Sequence, residues 1–276
     1  MARTKKATKG QNSEKAERTK EALTALKQGK SKEKKGEIAI DPLNERVLRA
    51  LIKGDDADYV QHAFASKSQI ELLYKMAAQT NEQTRKTARK YGEEYRGSLH
   101  VSTEGWYGIP CTNIKNAMVA ACRNTGNTMS ETKQTFRVLE DGRDRADGTP
   151  LVRILGGTPV PVVHAVRNSG GGSTDLRVRA KWHVWYAMVR IRYDANTISE
   201  KSLGNLLVRA GRYAGIGEGR ASSKKSVGMD WGYFTTIDPD TEIPGEGDIQ
   251  YPQPTEMERA VHELIAKEEE EVAKVA

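Results

Sequence analysis

Between Trp185 and Tyr193 the apolar residues Trp185, Ala187, Val189, Ile191 and Tyr193 alternate with Tyr186, Met188, Arg190 and Arg192. A period of two predicts a strand, here 184–193, with one packed face and one face open to water. Residues 45–53 predict a first strand, bounded by Pro42 and the turn cluster Gly54-Asp55-Asp56. A helical period replaces it at 110–124, where Ile114, Met118, Ala121 and Cys122 fall on one stripe, and at 200–214, where Leu203, Leu206, Leu207 and Ala210 do so behind a Ser199 N-cap. Shorter runs predict strands at 135–140 and 231–237. Thr255-x-x-Glu258 is a capping box opening a last helix with Met257, Val261, Leu264 and Ile265 along one side. Ser68 to Gln79 has helical spacing, and Glu82 to Arg96 predicts a charged helix or an extended arm.

Residues 141–182 break this regularity. Asp141-Gly142, Asp147-Gly148, Gly156-Gly157 and Gly170-Gly171-Gly172 mark repeated turns, so this stretch is expected to be an insertion of hairpins projecting from the core, with Arg167, Arg177, Arg179 and Lys181 as a basic edge. Without the insertions at 54–108 and 141–182 the order is β-α-β-β-α-β, an α+β, ferredoxin-like (RRM-like) core over 38–240. A tail at 1–37 precedes it, and a linker with the C-terminal helix at 241–276 follows.

Charge divides the chain further. The 276 residues carry a net +7, yet residues 1–36 alone hold twelve Lys/Arg against four Glu. That tail lacks aromatic and β-branched apolar residues, so it is expected to be flexible, with at most a nascent helix near residues 15–28. The last helix is acidic, with seven Glu against three Lys/Arg from Thr255 onward. No apolar run is long enough for a membrane span and the start is polar, so a cytoplasmic protein without membrane contact is expected. Cys111 and Cys122 lie roughly 16 Å apart on one predicted helix, beyond disulfide reach. The five histidines show no metal-ligand spacing, and no metal is expected.

The segment with the most chemistry is Arg209 to Phe234, where a helix runs into a glycine- and cation-rich loop and then an aromatic strand. Gly215, Gly217 and Gly219 permit close main-chain approach, while Arg212, Arg220, Lys224 and Lys225 supply charge suited to phosphates. No Walker A pattern exists, and the glycines follow a helix and precede a strand, the reverse of a dinucleotide fingerprint, so no cofactor is expected.

Tyr107-Gly-Ile-Pro-Cys-Thr-Asn-Ile-Lys-Asn-Ala-Met resembles the helix entry of the RAMP superfamily, the ferredoxin-like backbone proteins of CRISPR effector complexes, and residues 215–234 resemble that family's C-terminal glycine-rich loop. Cys111, Thr112, Asn113 and Asn116 depart from the family's Gly and Ser positions. The layout also resembles uncharacterised phage and prophage proteins, and a phage-encoded chain would work in the bacterial host cytoplasm. The resemblance implies a non-catalytic subunit that binds a single strand, RNA before DNA, and multimerises along it. Lys53, Thr112, Asn113, Lys115, Arg123, Arg177, Arg179, Lys181 and the loop residues would meet the backbone, with Tyr186 or Trp231 as stacking surfaces. Three alternatives stand beside it: a phage single-stranded DNA binding or annealing protein, a self-assembling structural protein, and an endoribonuclease using Asp55, Asp56, Asp58 or His62.

Overall fold

Strand β10 (Trp185–Asp194) forms where the alternation is clearest, and its inward residues Trp185, Ala187, Val189, Ile191 and Tyr193 are each at most 3% exposed. The structure is a computed structural model that describes residues 42–61, 90–126, 128–167, 174–222 and 229–275. The expected tail, the helix at 68–79, most of the 82–96 segment, His62, Lys224 and Lys225 lie outside the described residues.

Within them the chain is mixed α/β, with five helices and three antiparallel sheets. β10 pairs with β1 (Glu45–Gly54) on one side and β4 (Phe136–Val138) on the other, and β11 (Phe234–Ile237) extends β1 to give the order β11-β1-β10-β4. A two-residue strand, β7 (Leu155–Gly156), also pairs with β10. Helices α2 (Cys111–Ala121) and α4 (Glu200–Arg209) cover the inward side of this sheet. Ile114, Met118, Leu203 and Leu207 join Ile52, Val189 and Ile191 in one buried cluster, each side chain contributing about 1.5–3 kcal/mol. The Ser199 hydroxyl accepts from the Ser202 N–H at 3.2 Å, which is the expected cap.

Several boundaries differ from expectation. Helix α3 (Met129–Thr135) occupies the approach to β4, which shortens the expected 135–140 strand. Thr128 and Glu131 form its capping box, a signal present in the sequence. The last strand starts at Phe234 rather than 231 because Asp230 and Gly232 adopt positive φ, which a strand cannot hold.

The described residues 141–167 and 174–182 do not project. β5 (Gly142–Arg143) and β6 (Pro150–Arg153) make a sheet with β3 (Gly108–Pro110), and the hairpin β8 (Val160–Arg167) and β9 (Thr174–Trp182) pairs with β2 (Tyr59–Val60). Val152, Ile154, Ala180 and Trp182 are buried in the main cluster, so apolar packing draws both small sheets onto the core. Helix α1 (Tyr91–Ser98) packs against β9. Helix α5 (Glu256–Val275) opens on the Thr255–Glu258 capping box and buries Val261 and Ile265 with Val178 of β9. Met257 and Leu264, expected on the same packed stripe, are 56% and 43% exposed. Among the described residues no helix is long and apolar enough to cross a membrane.

Candidate nucleic-acid interface

Gly215, Gly217 and Gly219 all adopt left-handed φ, as a glycine loop permits. The conformation serves the chain's own packing. A Cβ on Gly217 would stand 2.3 Å from the Val60 carbonyl oxygen and 2.8 Å from the Tyr59 ring. The Glu218 N–H donates to that carbonyl at 2.9 Å, and the Arg220 guanidinium turns back onto the Gly217 carbonyl at 2.8 Å. The loop is therefore a clasp on β2, held in place by its neighbours.

Tyr59 is the point where the start of α2 and the glycine loop meet. Its ring packs beneath Gly217, and its hydroxyl lies beside Asn113 in the first turn of α2 and near the Arg220 charge. Burial pushes the phenol pKa well above its ordinary range, with Asn113 and Arg220 opposing. The start of α2 follows Pro110, without a side-chain cap and without an acidic residue in its first turn. Thr112 is exposed and Asn113 half-buried there, at the positive end of the helix dipole. Lys115 sits over the edge of the Phe136 ring, 6.0 Å from its centroid.

Other expected contacts go elsewhere. Arg123 is at the far end of α2, roughly 18 Å along the axis, with Nε directed at the Met129 sulfur at 2.9 Å. Lys53 lies 6.0 Å from the Tyr186 ring centroid, and Tyr186 is only 7% exposed. Trp231 has the His164 ring against it at 5.4 Å between centroids, and Gly219 pressed close. Neither aromatic is an open stacking platform.

Of the basic edge, Arg177, Arg179 and Lys181 are engaged within the fold. Arg177 and Arg179 reach the Glu218 carboxylate of the glycine loop at 3.4 and 3.1 Å, and His164 Nε2 reaches it at 3.0 Å. Lys181 is 7% exposed and bonded to Glu258 of α5 and Asp58, the latter at 3.4 Å, while His183 Nδ1 lies 2.8 Å from Asp58. Burial alone would raise both carboxyl pKa values. The His183 and Lys181 contacts instead hold Asp58 below its usual range, and Lys181 with the Thr255 N–H holds Glu258 down to about 2.

Two of the three carboxylates of the acidic turn, Asp55 and Asp58, are paired with cations. Asp55 pairs with Arg212 at 3.2 Å, and Asp56 occupies a turn at φ 48°. Among the described residues no three His, Cys, Asp or Glu side chains come together as a metal site. Cys111 and Cys122 are buried free thiols. Burial, reinforced by Glu140 and Asp141, pushes Cys111 up to about 12 and keeps it protonated.

One cluster escaped the residue-by-residue reading. Register places Arg49 of β1 directly opposite Arg190 of β10, and Arg192 opposite Arg137 of β4, all four on the outward side of the main sheet. Alternation marks Arg190 and Arg192 as outward, but only strand pairing shows which cations stand beside them. No protein-family model matches the chain, and a search of curated proteins finds no relative.

Proposed function

We propose that this chain is a non-catalytic subunit built on a ferredoxin-like core that binds single-stranded nucleic acid, RNA before DNA, and multimerises along it. The observation that carries the reading is the meeting of two motifs about a hundred residues apart in sequence, the start of α2 and the glycine loop, around Tyr59. An uncapped, acid-free helix start flanked by Lys115 and Arg220 suits a phosphate, since main-chain N–H groups and guanidinium donors meet a negative charge there. The sheet order β11-β1-β10-β4, antiparallel throughout with α2 and α4 on one side, supports the core assignment, because a split β-α-β unit repeated twice produces that order. Cleavage draws no support from the acidic turn, where Asp55 and Asp58 each face a cation.

The test is anisotropy titration of labelled mixed-sequence RNA and DNA strands with the parent and with Lys115→Ala/Arg220→Ala. A charge-assisted hydrogen bond is worth about 1.5–3 kcal/mol, so the double variant is expected to bind at least tenfold more weakly. Equal affinity would remove the α2–loop site from the reading. A parent that binds neither polymer would remove the reading itself.

A further inference from the structure

We infer that the outward face of the main sheet is a second nucleic-acid contact, an arginine patch that takes the sugar–phosphate backbone of a single strand. The inference rests on the function proposed above but uses a different surface. Opposed residues on antiparallel strands stand about 5 Å apart at Cβ, and like charges placed there repel. This sheet carries two such pairs, Arg49 with Arg190 and Arg192 with Arg137, one step apart along β10. Four guanidinium groups thus share a small area whose next row along the strands lies about 7 Å away.

The local acids do not balance them. Arg190 donates to Asp141 at 2.8 Å and to the Glu140 carbonyl at 2.7 Å, and Arg192 is 4.0 Å from Glu45. Arg49 and Arg137 are exposed, and neither has an ion-pair partner among the described residues. Asp194, also on this face, is held by the Asn44 and Asn196 N–H groups and by Thr197. Val47, between the arginines and opposite Arg192, is 50% exposed, so this part of the face is open, whereas Leu51 and Tyr186 farther along it are buried.

Repulsion of this kind is relieved by a polyanion. Arginine suits it because the planar fork meets a phosphate through paired hydrogen bonds. The open part of the face has no aromatic ring, so contact is with the backbone and indifferent to base sequence. The acidic helix α5 of a second copy is the lesser occupant, because three of its seven glutamates, Glu258, Glu268 and Glu269, already hold Lys181, the Tyr91 and Gly92 N–H groups, and Arg96.

The experiment compares the parent with Arg49→Gln/Arg137→Gln and Arg49→Lys/Arg137→Lys, titrating a labelled mixed-sequence single strand over a series of salt concentrations. Two lost phosphate contacts are expected to reduce the slope of log affinity against log salt by about 1.4 in the Gln variant, and its affinity at low salt at least tenfold. The Lys variant is expected to keep the parent's slope with weaker binding. The Gln variant's unfolding temperature should be no lower than the parent's, since an opposed like charge has gone. A Gln variant that matches a binding parent in slope and affinity overturns the inference and leaves the α2–loop site standing. A parent that binds no strand overturns both, and a parent that binds phosphatidylserine vesicles but no strand assigns the patch to a membrane instead.

Discussion

Lys181→Met is expected to destabilise the protein by about 3–5 kcal/mol, because it leaves Glu258 buried and Asp58 half-buried without the lysine that lies between them. The cluster joins three distant parts of the chain: the turn after β1, the end of β9, and the first turn of α5. Its pH dependence has a definite sign. Glu258 is depressed from 4.5 to about 2, so its contribution is complete above about 4.5 and is lost as the pH falls through about 2. With solvent screening, a depression of that size is worth at most about 3 kcal/mol. Urea unfolding at neutral pH and then down to pH 2 measures both effects. The parent should weaken steeply over that acid range, and the Lys181→Met protein should start lower and change less. A variant within about 0.5 kcal/mol of the parent at neutral pH, as for an ordinary surface change, would show that the cluster is not a structural tie.

The second large effect is expected at the glycines. In Gly232→Ala the new Cβ would stand 1.8 Å from the Ile216 carbonyl oxygen on a residue at φ 75°, and crowding with backbone strain together should cost about 3–5 kcal/mol. Gly217→Val meets the Val60 carbonyl at 2.3 Å, so it should lower stability before it reports on any ligand. Gly204→Ala is the control. It sits inside α4 with nothing within 4 Å of its Cβ, and it should stabilise by about 1 kcal/mol. Thermal unfolding of the three variants orders them, and a Gly232→Ala protein as stable as Gly204→Ala would contradict the close packing of the loop.

Elements whose own periodicity decides their burial were legible in the sequence. β1, β10, α2, α4 and α5 each carry an apolar pattern of their own, reinforced by the turn cluster after β1 and by the caps of α4 and α5, and lie within a few residues of their expected places. What pairs at a distance was not. Arg177, Arg179 and Lys181 read as an exposed edge because charge on a strand ordinarily faces water. The acids that cover them come from Glu218 and Glu258, and nothing in the local pattern of β9 announces either. The glycine loop shows the same limit. Positive φ is predictable from composition, but the approach of Val60 to Gly217 depends on how β2 joins the hairpin sheet. For the candidate site, the helix start and the loop were identified separately, and their meeting at Tyr59 belongs to the fold. The arginine patch depends on register, which only the pairing of β1, β10 and β4 sets.

The most direct test of the central claim is the affinity of the full chain for one mixed-sequence oligonucleotide, as single strand and as duplex, measured across a salt series. Binding through phosphates releases counterions, so log affinity for the single strand should fall steeply with log salt, by about 0.7 in slope for each phosphate contacted, and the single strand should be preferred over the duplex. A flat salt response, or equal affinity for the two forms, would contradict the account.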